Sequence, residues 1–173
     1  MKETPRKLLA IAVNVFVGYI FWNIGSNPEE AAKIADSVFI PAFIIGIELL
    51  LILWTYSNAS FVQRVTEGRP GEIEHLGGHE AWKAFIEKVN RETNATLRSQ
   101  GLEPYSHIFN MMTSSLHPLQ SVVWITEVLV AVAFVYAGWF WTGLACLACT
   151  VVHWRSFLYM RSRSARLVEL AQM

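Results

Sequence analysis

Four long stretches of the chain are almost free of charged residues, and polar segments separate them. The four stretches cover residues 8–24, 38–56, 119–137 and 140–159. A helix rises 1.5 Å per residue, so about 20 mainly apolar residues cross a hydrocarbon layer roughly 30 Å thick. None of the stretches alternates with the two-residue period of a barrel strand. The pattern therefore predicts an all-α integral membrane protein with four transmembrane helices.

The third and fourth stretches are separated only by a short connection around Gly138, so we expect them to form a tight helical hairpin. The charged segment of residues 57–118 lies between the second and third stretches. No repeat, low-complexity tract or soluble domain boundary interrupts this order. We therefore expect residues 1–173 to form a single membrane domain.

Within the charged segment, one region has the pattern of an amphipathic helix. Between residues 79 and 99, large apolar side chains recur at helical spacing: Trp82, Phe85, Ile86, Val89 and Leu97. The opposite face carries charges of both signs four residues apart. The pattern predicts an amphipathic helix that lies on the membrane or packs against a partner.

The composition agrees with a membrane protein. Hydrophobic residues make up 53% of the 173 residues and charged residues only 16%, whereas a soluble domain carries about 25% charged residues. The formal net charge is zero. A neutral chain is not a general polyanion binder, so we expect no nucleic-acid partner.

The positive charges predict the orientation in the membrane. Residues 26–37, between the first two stretches, contain one of the fourteen Lys and Arg residues, and the other thirteen (14 − 1) lie on the opposite side. Cytoplasmic segments carry the Lys and Arg excess, so the N-terminus, residues 57–118 and the C-terminus are predicted to be cytoplasmic. No segment resembles an organelle transit peptide, and a bacterial inner membrane is the expected location.

Three polar residues inside the predicted spans are candidate site residues: Asn14, Glu48 and Glu127. A charged side chain at the centre of a bilayer costs a few kcal/mol by insertion scales, so such residues face protein or a water-filled path. One interpretation is a proton or cation site formed by the two carboxylates with Asn14. The other is a pair of protonated carboxyls that hydrogen-bond neighbouring helices.

Four histidines are candidate metal ligands: His75, His79, His117 and His153. His75 and His79 are four residues apart next to acidic residues, and His117 and His153 lie near the cytoplasmic ends of the third and fourth spans. Imidazoles at such spacing hold metals or haem iron. However, Gly77 disfavours the continuous helix that a metal-binding pair needs. A metal or haem is therefore a possibility, and no other cofactor is predicted.

Two cysteines, Cys146 and Cys149, form a C-x-x-C pattern within the fourth span. In water this spacing indicates redox or zinc chemistry. Here it lies among Gly143, Ala145 and Ala148, and small residues in a membrane allow helices to approach closely. Close helix packing is the favoured interpretation.

The chain contains no complete catalytic constellation, so an enzyme is the less favoured interpretation. The favoured hypothesis is a small polytopic, non-catalytic subunit of a larger or homo-oligomeric membrane assembly. Its expected partners are the lipid bilayer and other membrane subunits or copies of itself. The first alternative is an ion- or proton-conducting subunit that uses Glu48 and Glu127. The second is a metal- or haem-dependent membrane oxidoreductase that uses the histidines at the cytoplasmic face.

Overall fold

The computed structural model describes residues 3–35 and 39–173. Helices account for 87% of these residues, and none of them lies in a strand. The helices are α1 (Glu3–Ser26), α2 (Pro28–Ala35), α3 (Phe39–Thr66), α4 (Pro70–His75), α5 (His79–Ser99), α6 (Ser106–Ser115), α7 (Gln120–Tyr136), α8 (Phe140–Ser162) and α9 (Ser164–Gln172). The predicted all-α class is confirmed. The predicted start of the second span at Val38 lies outside the described residues.

Two helical stretches among the described residues are long and apolar enough to cross a membrane. They are α1 and the stretch Phe39–His75, which α3 and α4 cover together. A third results if α6 and α7 are counted as one interrupted span. α7 by itself is not counted as a span because it has only 17 residues. α8 is not counted because polar side chains such as His153 and Arg155 lower its mean hydropathy. The described residues thus contain two or three candidate spans, which supports a membrane protein.

α3 is longer than the span predicted for residues 38–56. The helix continues to Thr66, ten residues beyond the predicted end. No glycine or proline follows Tyr56 until Gly68, whose φ of +78° is a left-handed conformation that ends helices. The first part of the expected cytoplasmic segment is therefore a continuation of the same helix.

The contacts of the chain divide it into two compact units. Unit 1 comprises Met1–Thr55 and Ser114–Arg155, and unit 2 comprises Tyr56–Thr113 and Ser156–Met173. Each unit is described below by itself. The single membrane domain over residues 1–173 stays a prediction.

In unit 1, α1 and α7 pack along their lengths and run in the same direction. Near their N-terminal ends, Thr4 lies 3.2 Å from His117. Further along both helices, Asn14 donates a hydrogen bond of 3.0 Å to Thr126. The apolar core of this unit contains Val130, Ala131, Phe134, Trp139 and Cys146.

A tight turn joins α7 to α8. Gly138 has a φ of +89°, and its N–H donates to the Val135 carbonyl at 3.1 Å. The N–H of Trp139 donates to the Phe134 carbonyl at 2.8 Å. These two bonds form the Schellman motif, in which a left-handed residue closes a helix and satisfies its last carbonyls.

Glycines allow two close helix contacts in unit 1. A Cβ atom at Gly143 of α8 would lie 2.6 Å from the carbonyl oxygen of Ala131 in α7. A Cβ atom at Gly25 of α1 would lie 2.8 Å from the carbonyl oxygen of Tyr136. Both distances are too short for a side chain, so the absence of Cβ atoms allows the backbones to approach.

In unit 2, α5 begins at His79 and ends at Ser99, so a helix covers the predicted range. Its buried residues are Trp82, Asn90 and Asn94, whereas Phe85 and Val89 are 47% and 39% exposed. The buried positions are four or eight residues apart and therefore lie on one face of the helix. Two asparagines belong to this buried face, although the apolar pattern did not include them.

Hydrogen bonds explain why these asparagines are buried. The Asn94 amide donates to the Leu170 carbonyl at 2.7 Å, and the Asn90 amide donates to the Ile86 carbonyl at 2.8 Å. Asn90 also accepts a hydrogen bond from the Tyr105 hydroxyl. Buried polar groups are tolerated when they are paired. The apolar core of unit 2 comprises Val62, Val65, Ile108, Met112, Met160, Leu167 and Leu170.

Candidate intramembrane carboxylate site

Two carboxylates lie within the long apolar helices of unit 1. Glu48 is the tenth of the 28 residues of α3, and Glu127 is in the middle of α7. Both side chains are half-buried. An isolated carboxylate inside a bilayer is unfavourable, so the partners of each one determine what the pair can do.

Both carboxylates contact the same turn of α8. The Cys146 thiol lies 3.6 Å from Oε1 of Glu48, and the Thr150 hydroxyl lies 3.4 Å from Oε2 of Glu127. Cys146 and Thr150 are four residues apart, which places them on the same helix face. Two acidic side chains from two different helices therefore meet at one turn of a third helix.

The partners of the carboxylates are neutral donors, and both contacts are long, at 3.6 Å and 3.4 Å. A thiol is a weak donor, and the Thr150 hydroxyl also donates to the Cys146 carbonyl at 3.0 Å. Glu127 is close enough to both Glu48 and Lys7 to interact with them electrostatically. The site thus brings two carboxyl groups near each other, and the donors that contact them are a thiol and a hydroxyl.

Asn14 does not contact either carboxylate directly. Its amide donates to the Thr126 hydroxyl at 3.0 Å, and Thr126 donates to the Val123 carbonyl at 2.7 Å. Thr126 directly precedes Glu127 in α7, so Asn14 bonds to a sequence neighbour of the site. Closer to the start of both helices, Lys7 donates a hydrogen bond to the Gln120 side chain. Polar pairs therefore line the contact between α1 and α7.

Cys149 and His153 extend the polar face of α8 by one turn. The Cys149 sulfur lies 3.8 Å from each ring nitrogen of His153. Glu48 is also a neighbour of the Cys149 thiol, and the backbone of Leu51 is a partner of the His153 ring. Both cysteines are free and buried, in agreement with packing positions.

The histidines predicted as metal ligands occupy separate environments. His75 ends α4 and His79 begins α5, and between them Gly77 and Gly78 have φ values of +89° and +114°. This break prevents a metal-binding pair on one continuous helix. His79 stacks on Trp82 with 5.5 Å between ring centroids. Across residues 3–35 and 39–173, no group of three or more His, Cys, Asp or Glu side chains is arranged to hold a metal ion.

Sequence reasoning missed Thr150 as the partner of Glu127, although a signal was available. Glu127 precedes Gly138 by 11 residues (138 − 127) and Thr150 follows it by 12 (150 − 138). Residues at similar distances from a tight turn face each other in antiparallel helices. The contact between Glu48 and Cys146 had no such local signal, because 98 residues separate the two.

No family model, curated protein or solved structure matches this chain.

Proposed function

We propose that this protein is a small, non-catalytic membrane subunit that binds or transfers protons or cations at Glu48 and Glu127, within a larger or homo-oligomeric assembly. The observation that carries the proposal is that both carboxylates meet at one turn of α8. Two carboxylates at mid-helix are costly in lipid and are retained where they serve an ion path or a proton relay.

The long contacts between the carboxylates and neutral donors favour exchange over permanent pairing. Hydrogen bonds from an arginine or from several backbone N–H groups stabilise the ionised form of a carboxylate. Glu48 and Glu127 instead have a thiol and a hydroxyl as partners. A proton or a small cation can neutralise such a pair and leave it again without disrupting strong hydrogen bonds.

We also propose the topology in which this site works. Four spans cross a bacterial inner membrane with both termini in the cytoplasm, and α7 and α8 form a helical hairpin. The common direction of α1 and α7 supports this topology, because first and third spans cross a membrane in the same direction. The turn at Gly138 supports the reversal between the third and fourth spans.

The experiment compares proton and cation flux in liposomes that contain the purified protein or its variants Glu48→Gln and Glu127→Gln. Glutamine keeps the size and hydrogen-bonding oxygen of glutamate and removes its titratable group. The control is Glu92→Gln, which removes a carboxyl from an exposed position of α5. Native mass of the gently extracted complex is measured for every variant.

We expect both site variants to reduce flux to the background of empty liposomes, with native mass unchanged and the Glu92→Gln control fully active. Absence of flux in the wild-type protein would contradict the proposal.

A second candidate is a purely structural subunit. It is favoured by the fact that both carboxylates bond across helices, from α3 and α7 to α8. In that case the site variants lower the native mass of the assembly.

A further inference from the structure

Lys7 of α1 is held on the side of α7 that carries the carboxylate site. Its ammonium donates a hydrogen bond to the side chain of Gln120, which is only 8% exposed. Gln120 precedes Glu127 by seven residues (127 − 120), so the two lie on one face of α7, two turns apart. Lys7 is half-buried, and Glu127 is one of its electrostatic neighbours. A fixed positive charge therefore lies beside the approach to Glu127 along α1 and α7.

The stronger electrostatic neighbour of Lys7 is Glu3, which has partners of its own. Glu3 lies 3.5 Å from Arg6 and accepts a hydrogen bond of 3.0 Å from Ser114. Glu3 and Arg6 carry opposite charges one turn apart, so they compensate each other at the start of α1. Lys7 is the last charged residue of α1. Its charge is therefore the one on this helix that acts on the carboxylates.

The charges of the site determine how much positive charge it can accept. When Glu48, Glu127 and Lys7 are all ionised, together they carry one net negative charge. A single monovalent cation or one proton neutralises this set, whereas a divalent cation leaves it positive. A net charge inside a bilayer is costly. The site is therefore matched to one positive charge at a time.

The atoms around the carboxylates favour a proton over a metal cation. Hard metal cations take about six or more oxygen ligands. The described neighbours of Glu48 include the sulfur atoms of Cys146 and Cys149, and thiols suit soft metals instead. Thr150 brings one hydroxyl oxygen to Glu127, at 3.4 Å. A proton needs only one carboxylate oxygen, so it requires no further ligands.

We propose that the ion bound at Glu48 and Glu127 is a proton, and that the positive charge of Lys7 keeps metal cations out of the site. This inference rests on the proposed function and names its ion and a specificity-determining residue. Between apolar helices, a fixed charge acts over a longer distance than in water. A proton forms a covalent O–H bond with a carboxylate oxygen, which outweighs the repulsion, whereas a metal cation with few oxygen ligands has no such compensation.

The experiment uses the purified full-length protein in liposomes. A pH-sensitive dye inside the liposomes reports proton flux, and radioactive sodium reports Na⁺ uptake. For the wild type we expect the same proton flux in sodium and choline buffers, with Na⁺ uptake at the background of empty liposomes. Lys7→Gln removes the fixed charge and should raise Na⁺ uptake about tenfold, which corresponds to about 1.4 kcal/mol of repulsion. Lys7→Arg keeps the charge and should behave as the wild type.

Two controls separate selectivity from damage to the fold. Lys33→Gln makes the same substitution at an exposed position of α2 in the same unit and should change neither quantity. The double variant Lys7→Gln with Glu127→Gln should lose the Na⁺ uptake, because a leak through misfolded protein does not depend on the carboxylate. Lys7→Met, a second neutral variant with a side chain of similar length, should gain Na⁺ uptake as Lys7→Gln does.

The outcomes distinguish this inference from the function on which it rests. Absence of both proton flux and Na⁺ uptake in the wild type contradicts the proposed function itself. Na⁺ uptake by the wild type at a rate comparable to its proton flux overturns the inference and leaves the proposed function standing. Proton flux in the wild type, with Na⁺ still excluded by correctly assembled Lys7→Gln and Lys7→Met, overturns the role of Lys7.

Discussion

The close contact at Gly143 makes a quantitative prediction about the packing of α7 and α8. In Gly143→Ala the new Cβ atom would lie 2.6 Å from the Ala131 carbonyl oxygen and 2.6 Å from a methyl group of Val135. Ordinary contacts begin near 3.4 Å, so the helices must separate by about 0.8 Å (3.4 − 2.6). Overpacking of this kind costs about 1–3 kcal/mol.

The matched control is Gly46→Ala in α3 of the same unit. A Cβ atom at Gly46 would have no neighbour within 4 Å. Both substitutions gain the helix propensity of alanine, which is about 0.5–1 kcal/mol. Because this gain is common to the two variants, the difference between their free energies of unfolding isolates the steric cost of about 1–3 kcal/mol.

The assay is reversible unfolding of the purified protein in mixed micelles, followed by circular dichroism as the fraction of denaturing detergent increases. Gly143→Ala should unfold at a lower fraction of denaturing detergent than Gly46→Ala. Adding Val135→Ala should recover only part of the loss, since the backbone contact with Ala131 remains. Equal stability of the two glycine variants would refute the reasoning.

Two further predictions concern unit 2. Asn94→Ala should reduce the free energy of unfolding by about 1–3 kcal/mol, because the Leu170 carbonyl then loses its buried donor; an unchanged unfolding midpoint would contradict this. Burial raises the pKa of Tyr105 above its ordinary value of 10.0, so the folded protein retains a proton that the unfolded chain releases. The resulting stability is present below pH 10 and is lost as the pH rises further. Unfolding curves at pH 9 and pH 11 should show this loss in the wild type and a smaller one in Tyr105→Phe.

The bounds of α5 could be predicted from the sequence because the apolar spacing continues as far as Leu97 and a local signal marks the start of the helix. Gly77 and Gly78 stop the preceding helix, and the apolar spacing begins at Trp82. The pattern did not indicate that Asn90 and Asn94 are buried, since a polar side chain at helical spacing ordinarily faces water. The Leu170 carbonyl that pairs with Asn94 and the Tyr105 hydroxyl that pairs with Asn90 both lie outside α5, so the pattern of α5 alone does not reveal them.

For the candidate site, too, the sequence indicated the residues but not the contacts between distant helices. Glu48 and Glu127 could be identified because a carboxylate within an apolar stretch is conspicuous. Their meeting at one turn of α8 depends on packing between helices that are far apart in the sequence. Helix directions follow from the predicted topology, but the rotation of each helix about its axis depends on side-chain packing, which the apolar pattern does not specify.

The pairing of α1 with α7 also has a consequence for the synthesis of the protein. Asn14 and Thr126 are separated by 112 residues, and at about 5–20 residues per second the ribosome needs roughly 6–22 s to make the intervening chain. During this interval α1 has left the ribosome without the helix that it finally contacts. Insertion of this candidate span into a bilayer during the interval would rely on its own apolar residues, and Asn14 acquires its native hydrogen bond only after α7 has been synthesised.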